Sequence, residues 1–470
     1  MATPAHDPPP LDGLFRNSRS VLELATAAGS ACLDGIKELK RLAEDPDATA
    51  AREEFEARMK WLDAENKLVP GADGTFAHLL EIAVFADKVE RADSYPPAGH
   101  FALLRGLLRP LGRFWEEETG VVELRKGMPI PVASRPVHKR FAATPRQEGT
   151  ADQLLLLPRS GFHVFDYGDN PGAPVQLDFS IRARLDELTW GENRERLPRV
   201  ATVHPPLGKD GVEIAEEDDK AGWFFGVAPV RWDLKFVLSQ LRNAAADQAD
   251  IAVLPELCMP ASEFDALEAA LAKSPEDFPP LIVAGSAHVK ENDGATEVRT
   301  NEARIYLDGE RVAHHRKINP YNLKVLPDGR RLKQEMKEGL TEEIKPINLL
   351  SGVYTRMAVM ICSDLISELP VQLMDAGVNL LLVPSLTPKT GSFNGDICNL
   401  ASHCQGAAVI VNADTSLYKS ALQRPFMVMA AVPRPRSKDQ SREYRRRFRG
   451  GPAVGIVDLN EPLRRALRWH

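Results

Sequence analysis

The chain has 470 residues, of which 43% are hydrophobic, and a formal net charge of -7. That length exceeds one ordinary core, so two domains are the default, and the mild acidity argues against a general nucleic-acid binder. No apolar run is long enough to span a bilayer, and five unpatterned cysteines (Cys32, Cys258, Cys362, Cys398, Cys404) fit a reducing cytoplasm better than a disulfide framework.

Residues 1–125 are expected to form a mainly helical N-terminal domain. Val21, Leu24, Ala28, Ile36, Leu39 and Leu42 recur at helical spacing, and Phe55, Met59 and Leu62 repeat it after the breaker Asp45-Pro46-Asp47. Leu104, Leu107, Leu108, Leu111 and Trp115 form another stripe, with Pro110 a kink. These stripes have the character of core and contain no cofactor box. Residues 126–197 are expected to be a linker and mixed extension. Gly127 to Gln147 is rich in Pro, Arg and Lys, and Gln153 to Asp166 has room for one or two strands.

From about Pro198 the texture changes. Short β-rich runs fall at Val200–His204, Ile251–Leu254, Leu281–Ser286, Ala303–Leu307, Val353–Ile361, Leu380–Val383, Ala408–Val411 and Ala453–Val457. Amphipathic helices are expected between them, near Trp232–Ala246, Ser262–Lys273, Glu368–Ala376 and Asp396–Gln405. Strands alternating with helices define an α/β layered domain over 198–470. The chain has no phosphate-loop motif and no convincing G-x-G-x-x-G, so nucleotide binding has no motif support.

Three segments carry the chemistry, in a fixed order: Pro255-Glu256-Leu257, Arg316-Lys317-Ile318 and Ile361-Cys362-Ser363-Asp364-Leu365. Each sits at or just beyond the end of an expected strand, so a carboxylate, an amine and a thiol are offered at strand ends. That set suits a cysteine nucleophile served by a carboxylate base and a cationic stabiliser. Singly, each has an ordinary explanation: Glu256 as a helix cap, Lys317 as a solvated lysine, Cys362 as an inert buried thiol. The three contexts together, in order and on the right elements, make coincidence a poor account.

In that combination the sequence resembles the carbon–nitrogen hydrolase, or nitrilase, superfamily, over about Pro198 to His470. The matches are Pro255-Glu256, Arg316-Lys317-Ile318-Asn319 and Cys362-Ser363-Asp364-Leu365, about sixty and then about forty-five residues apart. Leu380–Ser385 resembles the strand after the nucleophile helix, Val409-Ile410-Val411-Asn412 a later strand, and Gly451–Leu459 the closing one. The resemblance implies a four-layer α-β-β-α sandwich, preceded here by the helical domain, and assembly into a homodimer or larger homo-oligomer. It implies that Cys362 attacks a small amide, that Glu256 moves the proton, that Lys317 stabilises the tetrahedral charge, and that a thioester is hydrolysed without metal or cofactor. It also implies a second glutamate after the lysine. Glu335 and Glu338 are the candidates, and Glu335 is preferred, with Gly339 following it. Asn319 and Tyr321, just after the lysine, Asp364 in the cysteine motif, and Ser385 at the end of the next strand are expected around the substrate.

Some positions depart from the family. Ser363-Asp364 replaces the Trp-Glu of nitrile-cleaving members, which favours amide cleavage, and Ile366-Ser367 replaces the usual Arg and aromatic residue. The expected activity is therefore an amidase-type hydrolase; the alternative is a nitrilase-fold interaction or effector module, inactive or conditionally active, regulated by its N-terminal domain. Arg434 to Arg449 holds eight basic residues against Asp439 and Glu443. A solvated hairpin loop is the default there, and an anionic partner or nucleic acid the sharper possibility.

Overall fold

The computed structural model describes residues 22–23, 25–30, 111, 114–115, 118–131, 156–157, 162–165, 173–189, 197–205, 212–214, 223–229, 232–293, 296–325, 331–341, 346–387, 393–403, 406–413, 426–433, 441–447, 454–459 and 467–469. Two compact units divide the chain. One comprises 1–119, 124–132 and 146–171; the other comprises 120–123, 133–145 and 172–470.

In the first unit, residues 22–23, 25–30, 111 and 114–115 are helical. The other helical stripes expected before residue 118 lie outside the described residues. Part of the stretch expected to be a linker is folded here: Pro129–Pro131, Phe162–Val164 and Leu156–Leu157 pair antiparallel as a small sheet. Trp115 donates its indole N–H to the Pro129 carbonyl at 3.2 Å.

The second unit is a mixed α/β structure. In chain order its principal elements are β1 (Val121–Glu123), β2 (Val175–Asp178), α1 (Arg182–Thr189), β3 (Arg199–Val203), α2 (Leu234–Ala246), β4 (Ile251–Val253), α3 (Phe264–Lys273), β5 (Leu281–Asp293), β6 (Thr296–Leu307), β7 (Glu310–Arg316), β8 (Ile347–Ser351), β9 (Arg356–Val359), α4 (Leu369–Asp375), β10 (Leu380–Ser385), α5 (Asn394–His403), β11 (Ala407–Asn412), β12 (Phe426–Pro433), β13 (Ser441–Arg447), β14 (Val454–Asp458) and β15 (Leu467–Trp469).

Two sheets carry the site. The seven-stranded sheet runs β7-β6-β5-β4-β3-β14-β15, and the eight-stranded sheet runs β1-β2-β8-β9-β10-β11-β12-β13. The strands that lead to Glu256 and Cys362 are central and have parallel neighbours: β4 lies between β3 and β5, and β9 beside β10. β4 is Ile-Ala-Val and β10 opens Leu-Leu-Leu-Val, and every residue of both is buried. Continuous rather than alternating apolar character is what a strand covered on both faces requires.

Helix α2 begins at Asp233, whose carboxylate accepts from the Phe236 N–H. Val237, Leu241 and Ala244 then fall one turn apart and pack with Phe264, Leu267 and Leu271 of α3 on β3, β4 and β5. On the other sheet α5 packs on β11, β12 and β13, and α1 on β8. The sheets are joined by His204, which hydrogen-bonds Thr202 Oγ1 through Nε2 at 3.1 Å and the Asn412 carbonyl through Nδ1 at 3.0 Å. Burial lowers this ring's pKa to about 4, so it serves as a neutral link.

This unit starts before the boundary at 198 expected from sequence, because β1, β2 and α1 belong to it. Helix α1 is a brace. The carboxylate of Asp186 accepts from three successive backbone N–H groups, of Val353, Tyr354 and Thr355, at 2.6, 2.8 and 3.2 Å. A side chain at Gly352 would meet the same carboxylate at 2.2 Å, so only glycine fits. That turn is why β9 begins at Arg356 and not at Val353. Arg184 donates to both carboxylate oxygens of Asp308, in the turn between β6 and β7, at 2.6 and 2.8 Å. One short helix is therefore fastened to both sheets.

Part of the basic segment expected to be a loop is strand β13, paired with β12; 434–440 and 448–449 lie outside the described residues. No helix among the described residues is long and apolar enough to cross a membrane.

Candidate active site

Glu256 sits three residues beyond β4. Its position depends on a close approach behind it: a side chain at Gly285 would meet the Pro255 carbonyl at 2.2 Å, and Gly285 itself adopts φ +72°. Leu257 follows at φ +51° with its N–H on Ser286 Oγ, 3.3 Å away. Lys317 directly follows β7, and its backbone N–H donates to the Asn301 carbonyl of β6 at 2.8 Å. Cys362 opens the short 3-10 turn Cys362–Ile366 after β9 and holds φ +45°. Non-glycine residues in the left-handed region beside both the carboxylate and the thiol are strained backbone held by surrounding structure, a pattern concentrated at functional sites.

The side chains converge. Lys317 Nζ donates to Glu256 Oε1 at 2.8 Å and to Glu338 Oε2 at 2.7 Å. Asn301 Nδ2 donates to the same Glu256 oxygen at 3.1 Å and to Glu338 Oε1 at 3.0 Å. The Leu386 N–H donates to Glu256 Oε2 at 2.8 Å. Ser385, the residue before it, donates its hydroxyl to the Cys362 sulfur at 3.4 Å. Glu256, Lys317, Glu338, Asn301, Cys362 and Ser385 are all buried.

The electrostatics follow from burial. Burial alone disfavours the Lys317 ammonium, but the Glu256 and Glu338 charges outweigh it and hold the amine well above its usual range. Burial also opposes the Glu338 carboxylate, and there Lys317 and the hydrogen bond from His288 prevail, holding it well below the usual carboxylate range. Burial, then the Glu256 charge, push the Cys362 thiol upward, and Lys317 only partly opposes them. The resting nucleophile is thus a thiol that needs a base. Burial pushes Cys258 upward as well, but Cys258 packs against Gly285 behind the Glu256 turn, away from the amine. The two buried cysteines differ in their neighbours.

The two carboxylates have different capacities. A carboxylate offers about four lone-pair positions. Glu338 fills them: His288 Nε2 and Asn301 Nδ2 at Oε1, Lys317 Nζ and the Tyr321 N–H at Oε2. Glu256 receives Lys317 and Asn301 at Oε1 but only the Leu386 N–H at Oε2. One acceptor position therefore remains on Oε2, held by the residue that follows Ser385, whose hydroxyl reaches the Cys362 sulfur.

Two sequence expectations are corrected. Glu335 was preferred as the second glutamate, but its side chain is exposed and Glu338 is the one on Lys317. Along residues Arg331–Glu338 side chains alternate, so the inward Met336 places Glu338 inward and Glu335 outward. Asp364, expected at the substrate, has its carboxylate occupied by the protein. Oδ1 accepts from the Ile318 and Asn319 N–H groups at 3.0 and 2.8 Å, and Oδ2 from Ile361 N–H at 3.2 Å and from His315 Nε2 at 3.0 Å. It clamps the loop after Lys317 onto the turn that presents Cys362. Asn319 belongs to that clamp as well, its carbonyl accepting from the Ser363 hydroxyl. Tyr321 faces the site, with its ring centroid 6.0 Å from Lys317 Nζ, and burial with the Cys362 and Glu256 charges pushes its phenol up to about 12. Tyr321 and Leu386 also pack against Phe224, Val227, Leu257 and Met336.

Asn301, His288 and His315 were not singled out from sequence. Asn301 carried a usable signal: an asparagine inside a long strand pattern is disfavoured there unless something pairs with it. Among the described residues no group of three His, Cys, Asp or Glu side chains could hold a metal ion; the His403 side chain and Cys404 lie outside them.

Glu338→Gln should destabilise the folded chain by roughly 3 kcal/mol, because it leaves a buried ammonium short of a partner. Glu335→Gln should stay within about 0.5 kcal/mol. The carboxyl of Glu338 is depressed below its ordinary 4.5, so its contribution is present above that pH and is lost as pH falls below it. Urea unfolding at pH 7 and pH 4 should therefore show a smaller acid loss for Glu338→Gln than for wild type. Equal behaviour of the two variants would contradict the placement.

Solved structures of nitrilase superfamily members match part of the chain. A cysteine-to-alanine variant of an amidase from the nitrilase superfamily, from Nesterenkonia AN1, is 17% identical over 47% of this chain and 78% of its own, with a TM-score of 0.31. Nit3 of Saccharomyces cerevisiae, a member of branch 10 of that superfamily, is 16% identical over 53% of this chain and 90% of its own, at 0.32. The C. elegans NitFhit protein is 16% identical over 52% and 60%, at 0.35. No protein-family model and no curated protein matches the chain. With likenesses this partial, the site geometry has to carry the functional reading.

Proposed function

We propose that the chain is a cysteine-dependent carbon–nitrogen hydrolase that cleaves a small amide, built on a four-layer α-β-β-α sandwich. One observation carries this reading: the Leu386 N–H holds Glu256 Oε2 and the hydroxyl of the preceding residue, Ser385, reaches the Cys362 sulfur, while Lys317 lies 2.8 Å from the same carboxylate.

The thiol proton passes to the open lone pair of Glu256 Oε2 as sulfur attacks the amide carbon. Lys317 stabilises the oxygen that gains charge, at no reorganisation cost, because two carboxylates and the strand end already hold it. Glu256 then returns the proton to the departing nitrogen, ammonia or an amine leaves, and an acyl group remains on Cys362 as a thioester. Glu256 next takes a proton from water, hydroxide adds to the thioester carbonyl, and the thiol is regenerated with release of the acid. Glu338 has no free acceptor position, so it orients and balances Lys317 and exchanges no proton. Amide rather than nitrile cleavage is supported by Ser363-Asp364 after the cysteine.

The test is direct. Wild type and Cys362→Ala are mixed with a panel of small primary amides, ammonia is followed, and acid-quenched protein is weighed by mass spectrometry. Wild type should release ammonia from at least one amide and carry the matching acyl mass on Cys362; Cys362→Ala should do neither. An acyl adduct on another cysteine, or undiminished turnover by Cys362→Ala, would overturn the proposal.

A further inference from the structure

We infer that His288, on β5, is a positioning residue that locks Glu338 as a permanent acceptor and through it fixes the Lys317 ammonium between the two carboxylates. The inference rests on the hydrolase reading above and deepens it.

The ring is held on all sides. Its side chain is 1% exposed, and it stacks on Phe225 with centroids 4.5 Å apart and planes 11° from parallel. The backbone N–H groups of Gly226 and Val227 both point at Nδ1, at 2.9 and 3.0 Å. An N–H group there would face two other donors, so Nδ1 carries the lone pair and the ring proton sits on Nε2. Nε2 lies 2.9 Å from Glu338 Oε1. The contact is thus a hydrogen bond donated by a neutral ring to a buried carboxylate. The tautomer is imposed by the peptide groups of residues 226 and 227, and the sequence neighbours of His288 have no part in it.

The consequence reaches Lys317. With the His288 donor in place, all four acceptor positions of Glu338 are filled and the carboxylate stays charged beside the amine. Without it, Oε1 has an open lone pair and takes up a proton at higher pH. A protonated Glu338 no longer shares Lys317, the ammonium turns wholly to Glu256, and the base is weakened. His288 touches neither the thiol nor the base, so this effect travels only through Glu338.

Two measurements test it. In wild type, nitrogen NMR of the histidine-labelled chain should show the His288 ring with a bare Nδ1 and a protonated Nε2; a proton on Nδ1 would overturn the inference whether or not the thiol reacts. The second is the pH dependence of Cys362 alkylation by iodoacetamide. His288→Phe keeps the stack on Phe225 and removes both polar contacts; His288→Gln keeps an acceptor for the N–H groups and a donor for Glu338. The acid limb should move up by about one pH unit in His288→Phe, the scale of one lost charge-assisted hydrogen bond, which lowers the rate about tenfold on that limb. His288→Gln should recover most of the shift. An unshifted limb in His288→Phe, or an equal shift in both variants, would show that the ring merely packs. Should His288→Phe fail to fold, His288→Asn, too short to reach Glu338, carries the same expectation. Wild-type Cys362 that resists alkylation at every pH would count against the hydrolase reading, leaving the tautomer to decide the role of His288.

Discussion

Lys317→Met should be the most damaging single substitution in the chain. Methionine matches the lysine stem in length but leaves Glu256 and Glu338 buried, close together, with Asn301 the shared donor between them. Removing one member of a buried ionic cluster typically costs about 3–5 kcal/mol. The sign of the pH dependence should also invert. In wild type the depressed Glu338 carboxyl makes stability fall as pH drops below its ordinary 4.5. In the variant the uncompensated carboxylates are raised instead, so that protonation favours the folded state and stability is partly recovered on acidification from neutral pH. Denaturant unfolding of both proteins between pH 7 and pH 4 checks this. A variant with wild-type stability and the wild-type slope would show that the ammonium does not hold the carboxylates together.

Glu256→Gln should separate chemistry from stability. Lys317 keeps Glu338 as its counter-charge, so the folded chain should lose no more than about 2 kcal/mol. Acylation of Cys362 should nevertheless fall about a thousandfold, within the range a positioned general base contributes. The reason lies in the thiol: burial and the neighbouring carboxylate hold it in its protonated form, and Lys317 does not reverse that. A nucleophile activated by its own lowered pKa would barely notice the loss of Glu256. An acylation rate within tenfold of wild type, measured by the growth of the adduct mass, would remove Glu256 as the base. Together with Lys317→Met, the two variants distinguish the group that moves the proton from the group that assembles the site.

What the sequence determined by itself was the local chemistry. Runs such as Ile251–Val253 and Leu380–Val383 are apolar at every position, and that forces buried strands whatever their partners. Asp233 as a cap and Val237, Leu241 and Ala244 as a stripe suffice to start and orient a helix. The ends of such strands bear Glu256, Lys317 and Cys362, so the three reacting groups were legible from their positions after β4, β7 and β9.

The tertiary structure decided what those groups meet. Glu335 and Glu338 lie on one strand and differ only in which face they occupy, and the buried partners on that face come from β5, β6 and the residue after β7. Motif context near Gly339 favoured the wrong one; the inward Met336 favours Glu338 once the sheet shows which face is covered. Asn301 and His288 come from long strands whose sequence does not name their partner, because a hydrogen bond to a carboxylate thirty-seven or fifty residues away leaves no local period. The same holds for Asp186, which lies in the stretch expected to be a linker and mixed extension and is the anchor of the turn before β9. Local pattern reports which side chains are buried and which strand ends are free. Pairing across sheets is set by topology, and only the folded chain shows that two adjacent residues, Leu386 and Ser385, hold the base and the thiol.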